Sequence, residues 1–226
     1  MTFSRAERAV LASLKRPEDV QRFLDELAYN LEPGGETCFS PRRVLRERSA
    51  HCLEGALFAA SAFRFHRRPP LVIQMRAEPE LDEDHLLALF REKKDSGAWG
   101  AVAKSKFTGL RFREPVYRTI RELAMSYFEQ YFNEVAEKSL RAVSRPVDLS
   151  RFDARSWETA EDDLHDVAEY LAHRPMRPLV TSRQARALAR VDPHLFRAGP
   201  MGGLAAVLEA RGRSITAARG LPRRGS

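Results

Sequence analysis

Two side chains have the types and spacing for covalent chemistry. Cys52 lies in "SAHCLEGALFAASAF", residues 49–63, where small apolar residues begin a helical stripe. With Ser49 as the cap, Cys52 is the third residue of that helix and still in its first turn. A thiolate there faces unpaired backbone N–H groups and the positive end of the dipole, which lowers the thiol pKa. Arg46 and Arg48, just upstream, would add to the effect. A cysteine is also a small hydrophobe that is often buried. A nucleophilic thiol needs a base from elsewhere in the fold. His51 is adjacent, but neighbours on a helix point in different directions. His85 is the better base: it follows "LDED" and opens the apolar run "HLLALF". There it can take the thiol proton and return it to a leaving group.

These residues need elements to position them. "RPEDVQRFLDELAYN" has Val20, Phe23, Leu24 and Leu27 at helical spacing, with Pro17 in its first turn. "LEPGGETCFSP" breaks that pattern. The cysteine helix runs from about Ser49 to Phe65 and ends at Pro69 and Pro70. The middle reads as sheet: "LVIQM" at 71–75, "DEDHLLALFRE", a hairpin loop "KKDSGA" with Gly97 as its turn residue, and "WGAVAKS" at 99–105. "KFTGLRFREPVY" reads as an irregular basic stretch. "RTIRELAMSYFEQYFNEV" is the clearest helix, its aromatic run reading as core, and a further helix spans about Trp157 to Ala172. "SRQARALARV" and "GGLAAVLEAR" suggest short helices, and "RGLPRRGS" a disordered end. The order gives an α+β fold with a small antiparallel sheet. The expected division is a domain over residues 1–175 and a basic extension over 176–226.

The stretches "HCLEGAL", "DEDHLLALF" and "WGAV" resemble the transglutaminase-like superfamily, the papain-related fold with Cys–His–Asp triads. The likeness covers roughly residues 20 to 133 and is in particular to a bacterial, mostly uncharacterised subgroup. A weaker resemblance is to the lasso-peptide leader proteases. The resemblance implies that Cys52 is the nucleophile and His85 the base. The triad acid would stand about four residues past the tryptophan, where this chain has Ala103. Either Ser105, two residues on and on the same face of a strand, or an acid from another segment could take its place. Ser105 can hydrogen-bond an imidazole but lacks the charge of a carboxylate. The backbone N–H of Cys52 is the natural first oxyanion donor. Asn30 is either a second donor or, more ordinarily for asparagine, a turn residue.

Composition sets the boundaries. With 226 residues, 43% hydrophobic and 31% charged, the chain is that of a soluble globular protein. It has no apolar run long enough for a membrane span, and its first residues are expected not to form a secretory leader. Cys38 and Cys52 alone make no disulfide framework, so a reducing cytoplasm is the expected compartment. The net charge of +7 is uneven: from Arg174 onward eleven arginines face only Asp192 and Glu209. Those arginines could bind nucleic acid, but a flexible basic terminus is the favoured reading, since aromatic interleaving is absent. "AKSKFTGLRFREP", with Lys104, Lys106, Arg111 and Arg113, reads chiefly as a solvated loop that could rim a cleft. His165 and His173 lie two helical turns apart, roughly 12 Å, too far to share one metal ion. No zinc or nucleotide motif occurs, so no cofactor is expected.

The expectation is therefore a thiol-dependent hydrolase or acyltransferase, acting on a peptide or protein substrate through an acyl-enzyme. The alternative is a catalytically degenerate member of the same fold that serves as a protein-interaction module. The absence of an acid at Ala103 speaks for the alternative.

Overall fold

The computed structural model describes residues 2–91 and 97–201. The chain opens with α1 (Arg5–Ser13) and α2 (Pro17–Glu26), then β1 (Ala28–Tyr29), α3 (Pro41–Glu47) and β2 (Ser49–Ala50). The long helix α4 (Cys52–Phe65) follows, then β3 (Leu71–Ala77), β4 (His85–Arg91), β5 (Trp99–Val102) and β6 (Arg113–Tyr117). After these come α5 (Ile120–Met125), β7 (Leu140–Ser144), β8 (Val147–Asp148), α6 (His165–Ala172), β9 (Met176–Pro178), α7 (Ser182–Arg186) and α8 (Pro193–Ala198). Among the described residues, seven strands form one sheet in the order β6-β5-β4-β3-β7-β9, with β8 also pairing β3. All its ladders are antiparallel. The α+β expectation holds.

β4 lies inside this sheet and is covered on both faces. Leu86, Ala88 and Phe90 belong to the core that holds α2 and α4, while Leu87 and Leu89 belong to a second core with Tyr127 and Tyr131. A strand buried on both sides needs apolar residues at every position, which is why "HLLALF" lacks the alternation of a half-exposed strand. β4 and β5 pair from Ala88–Val102 to Arg91–Trp99, and Gly97 takes a positive φ of 67°. Residues 92–96 of the expected hairpin loop lie outside the described residues.

Several expectations need correction. The basic stretch is not wholly irregular: Arg113–Tyr117 form β6, whose register shifts between Trp99 and Ala101 of β5. The helix expected over "RTIRELAMSYFEQYFNEV" ends at Met125 and gives way to a 3-10 turn at Phe128–Gln130. Tyr127, Phe128, Tyr131 and Phe132 are all buried. A single amphipathic helix on the surface has only one such stripe. The helix expected from Trp157 begins only at His165. Ser156 takes a positive φ of 53°, and the segment after it straps onto α3: Arg42 N–H bonds the Glu158 carbonyl and Ser40 Oγ bonds that of Ala160.

The expected boundary at residue 175 falls just before an edge strand of the same sheet. β9 pairs with β7, Leu179 and Val191 are buried, and Pro200 bridges to Phe107. The first part of the extension is therefore continuous with the domain. "GGLAAVLEAR" and "RGLPRRGS" lie outside the described residues. No helix among those described is long and apolar enough to cross a membrane.

Candidate active site

α4 begins later than the sequence suggests, for a local reason. Ala28 pairs with Ser49 and Tyr29 with Ala50 in a short parallel ladder, which keeps the backbone extended through His51. His51, not Ser49, is therefore the N-cap, and Cys52 is the first helical residue rather than the third. The His51 ring is used for this task. Its Nδ1 accepts from the Leu53 N–H at 3.2 Å, and its Nε2 donates to the Thr37 carbonyl at 3.1 Å. A carbonyl only accepts, which fixes that assignment of the proton.

Beneath the cap lies Glu54, whose side chain is fully buried. Its carboxylate accepts from the backbone N–H of His51 (2.9 Å) and of Phe39 (2.9 Å), from the Thr37 hydroxyl (2.8 Å) and from Asn30 Nδ2 (3.1 Å). Burying a carboxylate without such donors is very unfavourable. Asn30 also accepts from the Glu32 N–H at 3.0 Å. It thus takes the turn role, and its amide is committed away from any oxyanion.

The sulfur of Cys52 faces the start of β4. Sγ lies 3.8 Å from the Asp84 carbonyl oxygen, and the Leu86 N–H also favours its thiolate. That stretch of β4 is open to the sulfur because β5 leaves it after the Val102–Ala88 pair. Gly55 permits the approach: a Cβ there would lie 2.5 Å from Lys104 Cβ. Lys104 itself is buried and donates to the carbonyls at the end of α2, Leu24 at 2.7 Å and Leu27 at 2.5 Å.

His85 opens β4 and is 6% exposed. Its Nε2 lies 2.8 Å from the Leu110 carbonyl oxygen. The carbonyl must accept, so Nε2 carries the proton and Nδ1 keeps its lone pair, the form a general base requires. The Leu110 carbonyl is itself held in place. Arg113 Nη2 bonds the carbonyl of Gly109 at 2.8 Å, and the Tyr127 hydroxyl bonds that of Arg111 at 2.8 Å. Gly109 allows the turn to sit against Gln130, since a Cβ there would come within 1.5 Å of its Oε1. Tyr131 sets its ring edge-on to His85, with centroids 6.5 Å apart, and donates to the Glu83 carbonyl at 2.8 Å.

The residue bonded to the imidazole is therefore Leu110, through its backbone, and not Ser105. The Ser105 hydroxyl accepts from the Phe107 N–H at 3.0 Å, a local turn bond, although Ser105 lines the same cavity. Ala103 is packed in the core, its backbone held at both ends by Gln21. The acids before His85 also serve other groups: Asp84 accepts from the Ala77 N–H at 2.9 Å and from Gln74, and Asp82 from Ser139.

Cys52, His85, Ser105, Tyr29, Lys106 and Tyr131 line one cavity of about 40 Å³, about the room of a single water. Its electrostatics differ from the sequence expectation. Desolvation pushes the Cys52 thiol up to about 11 and the His85 imidazole down to about 4, so both are neutral at pH 7. The expected arginines do not counter this. Arg46 pairs with Glu161 at 2.6 Å, and Arg48 lies over the Phe23 ring at 4.8 Å. Cys38 is wholly buried, and its thiol is also raised by desolvation.

The basic stretch rims the cavity through Lys106 and Phe107, while its other cations are engaged within the protein. Arg111 pairs with Asp25 at 2.9 Å, and Arg113 bonds Ser126 Oγ at 3.0 Å. Tyr29, Tyr131 and the Leu110 carbonyl were not singled out from the sequence. The carbonyl leaves no trace in side-chain identity, and Tyr131 belongs to an aromatic run that reads as core. Among the described residues no group of three or more His, Cys, Asp or Glu could hold a metal ion. No family model matches the chain, and no curated protein matches it.

Proposed function

We propose that the protein is a thiol-dependent hydrolase or acyltransferase with a transglutaminase-like core, acting on an amide or ester carbonyl of a peptide or protein. The observation that carries this reading is the hydrogen bond from His85 Nε2 to the Leu110 carbonyl, beside the cavity that Cys52 also lines. It leaves Nδ1 as the free basic position. The chemistry starts from a neutral pair. As the sulfur attacks the carbonyl carbon, the thiol proton passes to Nδ1 and an S–C bond forms. The Leu110 carbonyl dipole then stabilises the imidazolium, more weakly than a carboxylate would. The backbone N–H of Cys52 is directed at the Tyr29 hydroxyl oxygen, which leaves the Tyr29 O–H as the donor offered to the developing oxyanion. The imidazolium returns the proton to the leaving amine or alcohol as its bond to carbon breaks. Water or an amine then takes the acyl group from sulfur.

The test is acylation by p-nitrophenyl acetate, read as the mass of the intact chain. The expected result is one acetyl group on Cys52, absent in Cys52→Ala and formed more slowly in His85→Ala. The second reading, an interaction module, is favoured by the size of the cavity and by the absence of a carboxylate on His85. It gives no acylation above the rate of an ordinary buried thiol, and an unchanged rate in His85→Ala.

A further inference from the structure

A second cleft, of about 730 Å³, shares no lining residue with the Cys52 cavity and is lined by Arg145, Arg151, Arg174 and Arg177 together with Asp148 and Tyr170. The four arginines come from separate places: the turn between β7 and β8, the 3-10 helix Leu149–Arg155, the end of α6, and β9. None of them pairs with a carboxylate among the described residues. In two other clefts most arginines are paired instead, Arg186 being unpaired among the described residues. Arg42 and Arg46 are neutralised by Glu7 and Glu161, and Arg76 and Arg141 by Asp84 and Glu78. The one acid of this cleft, Asp148, accepts from the Ser150 N–H at 2.9 Å as a helix cap.

Two of the guanidiniums are also ordered. Arg151 Cζ lies 4.1 Å and Arg174 Cζ 4.9 Å from the centre of the Tyr170 ring, which the Phe152 ring meets edge-on at 5.3 Å. For Arg177 the β7–β9 register, where it pairs with Val143, fixes the backbone alone. Gathering like charges costs free energy unless an anion joins them. Guanidinium forks suit phosphate oxygens better than lysine ammonium groups do.

We propose that this cleft binds a small molecule carrying a chain of phosphates, such as an inorganic polyphosphate or a nucleoside triphosphate. One phosphate group, at about −1.5 to −2 charges, would leave much of the arginine charge uncompensated. The cleft has the size of a small-ligand site, which is typically about 300–1,000 Å³.

The test is calorimetric titration of the full chain with tripolyphosphate, and separately with ATP, at physiological salt. The Arg145 and Arg177 side chains are exposed and make no hydrogen bond, ion pair or ring contact among the described residues, so Arg145→Glu/Arg177→Glu leaves the core untouched. Arg5→Glu/Arg118→Glu makes the same charge change elsewhere. Thermal melts establish that both variants fold. If the cleft pair fails to fold, Arg177→Gln alone replaces it. The expected result is saturable binding of tripolyphosphate, weakened at least about tenfold by the cleft pair and little changed by the control pair. Equal affinity for ATP would identify the phosphate chain as the recognised part, and tighter binding of ATP a nucleotide. The proposal is overturned by absence of saturable binding, by equal loss in both pairs, or by no loss in the cleft pair. Binding of a single-stranded oligonucleotide in the cleft that tripolyphosphate does not displace would also overturn it.

Discussion

His85 is the residue on which the proposed chemistry and the acid stability of the protein meet. Its pKa falls from the ordinary 6.5 to about 4 because burial disfavours the imidazolium. Below pH 6.5 the unfolded chain binds a proton that the folded chain refuses. Stability from this group is therefore complete above 6.5 and is lost as pH falls towards 4. The loss amounts to about 3 kcal/mol. His85→Gln should remove it: urea unfolding of the variant at pH 7 and pH 4 should differ by about that much less than in the parent. An equal difference in both proteins would show that the imidazole is not desolvated. At the same scale, Gly109→Ala forces a methyl into the space of Gln130 and displaces the Leu110 carbonyl. We predict a stability loss of about 1–3 kcal/mol by denaturant unfolding, and slower acylation of Cys52. Unchanged acylation would mean that the carbonyl does not orient the imidazole. That Cys52 and His85 come to one cavity was legible in the sequence from type and order. The partner of the imidazole was not, because any residue type supplies a carbonyl. Only the three held carbonyls of Gly109, Leu110 and Arg111 reveal it.

At the scale of elements, the site depends on how closely the start of α4 meets β4 and the chain after β5. Gly55 sets that distance against Lys104. Gly55→Ala would push α4 away, at a cost of about 1–3 kcal/mol, and should slow Cys52 modification as well. A variant that keeps parental stability and reactivity would contradict the close approach. Lys104 offers an independent check. Lys104→Met keeps the stem but leaves the Leu24 and Leu27 carbonyls without their donor, and denaturant unfolding should show a loss of about 1–3 kcal/mol. The elements α2, α4, β3 and β4 were legible because each carries one clear period or an uninterrupted apolar run. The start of α4 was misread because Ser49 is a good cap by type, while its pairing with Ala28 is a long-range fact. The aromatic run from Tyr127 to Phe132 has helical spacing, yet its neighbours on two sides draw it into turns. Local periodicity carries no information about how many faces a segment must bury.

At the scale of the molecule, the chain beyond Pro175 helps to hold the domain together. β9 extends the sheet, and Leu179 and Val191 are 4% exposed. Ending the chain at Pro175 should cost at least about 3 kcal/mol from those two side chains, read as a lower midpoint in urea. An unshifted midpoint would make the segment a true appendage. Composition located the positive charge correctly in the sequence but could not show which arginines are neutralised. Pairing depends on where the carboxylates of distant segments fall, as with Arg42 and Glu7 or Arg111 and Asp25. The central claim is that His85 removes the proton from Cys52. Its most direct test is the rate of Cys52 alkylation by iodoacetamide between pH 4 and pH 11, in a Cys38→Ser background. The account predicts a plateau through neutral pH that falls only near the low pKa of His85, and a second rise as the thiol ionises near 11. In His85→Ala the plateau should vanish and the alkaline rise remain. A single alkaline rise, identical in both proteins, would contradict it.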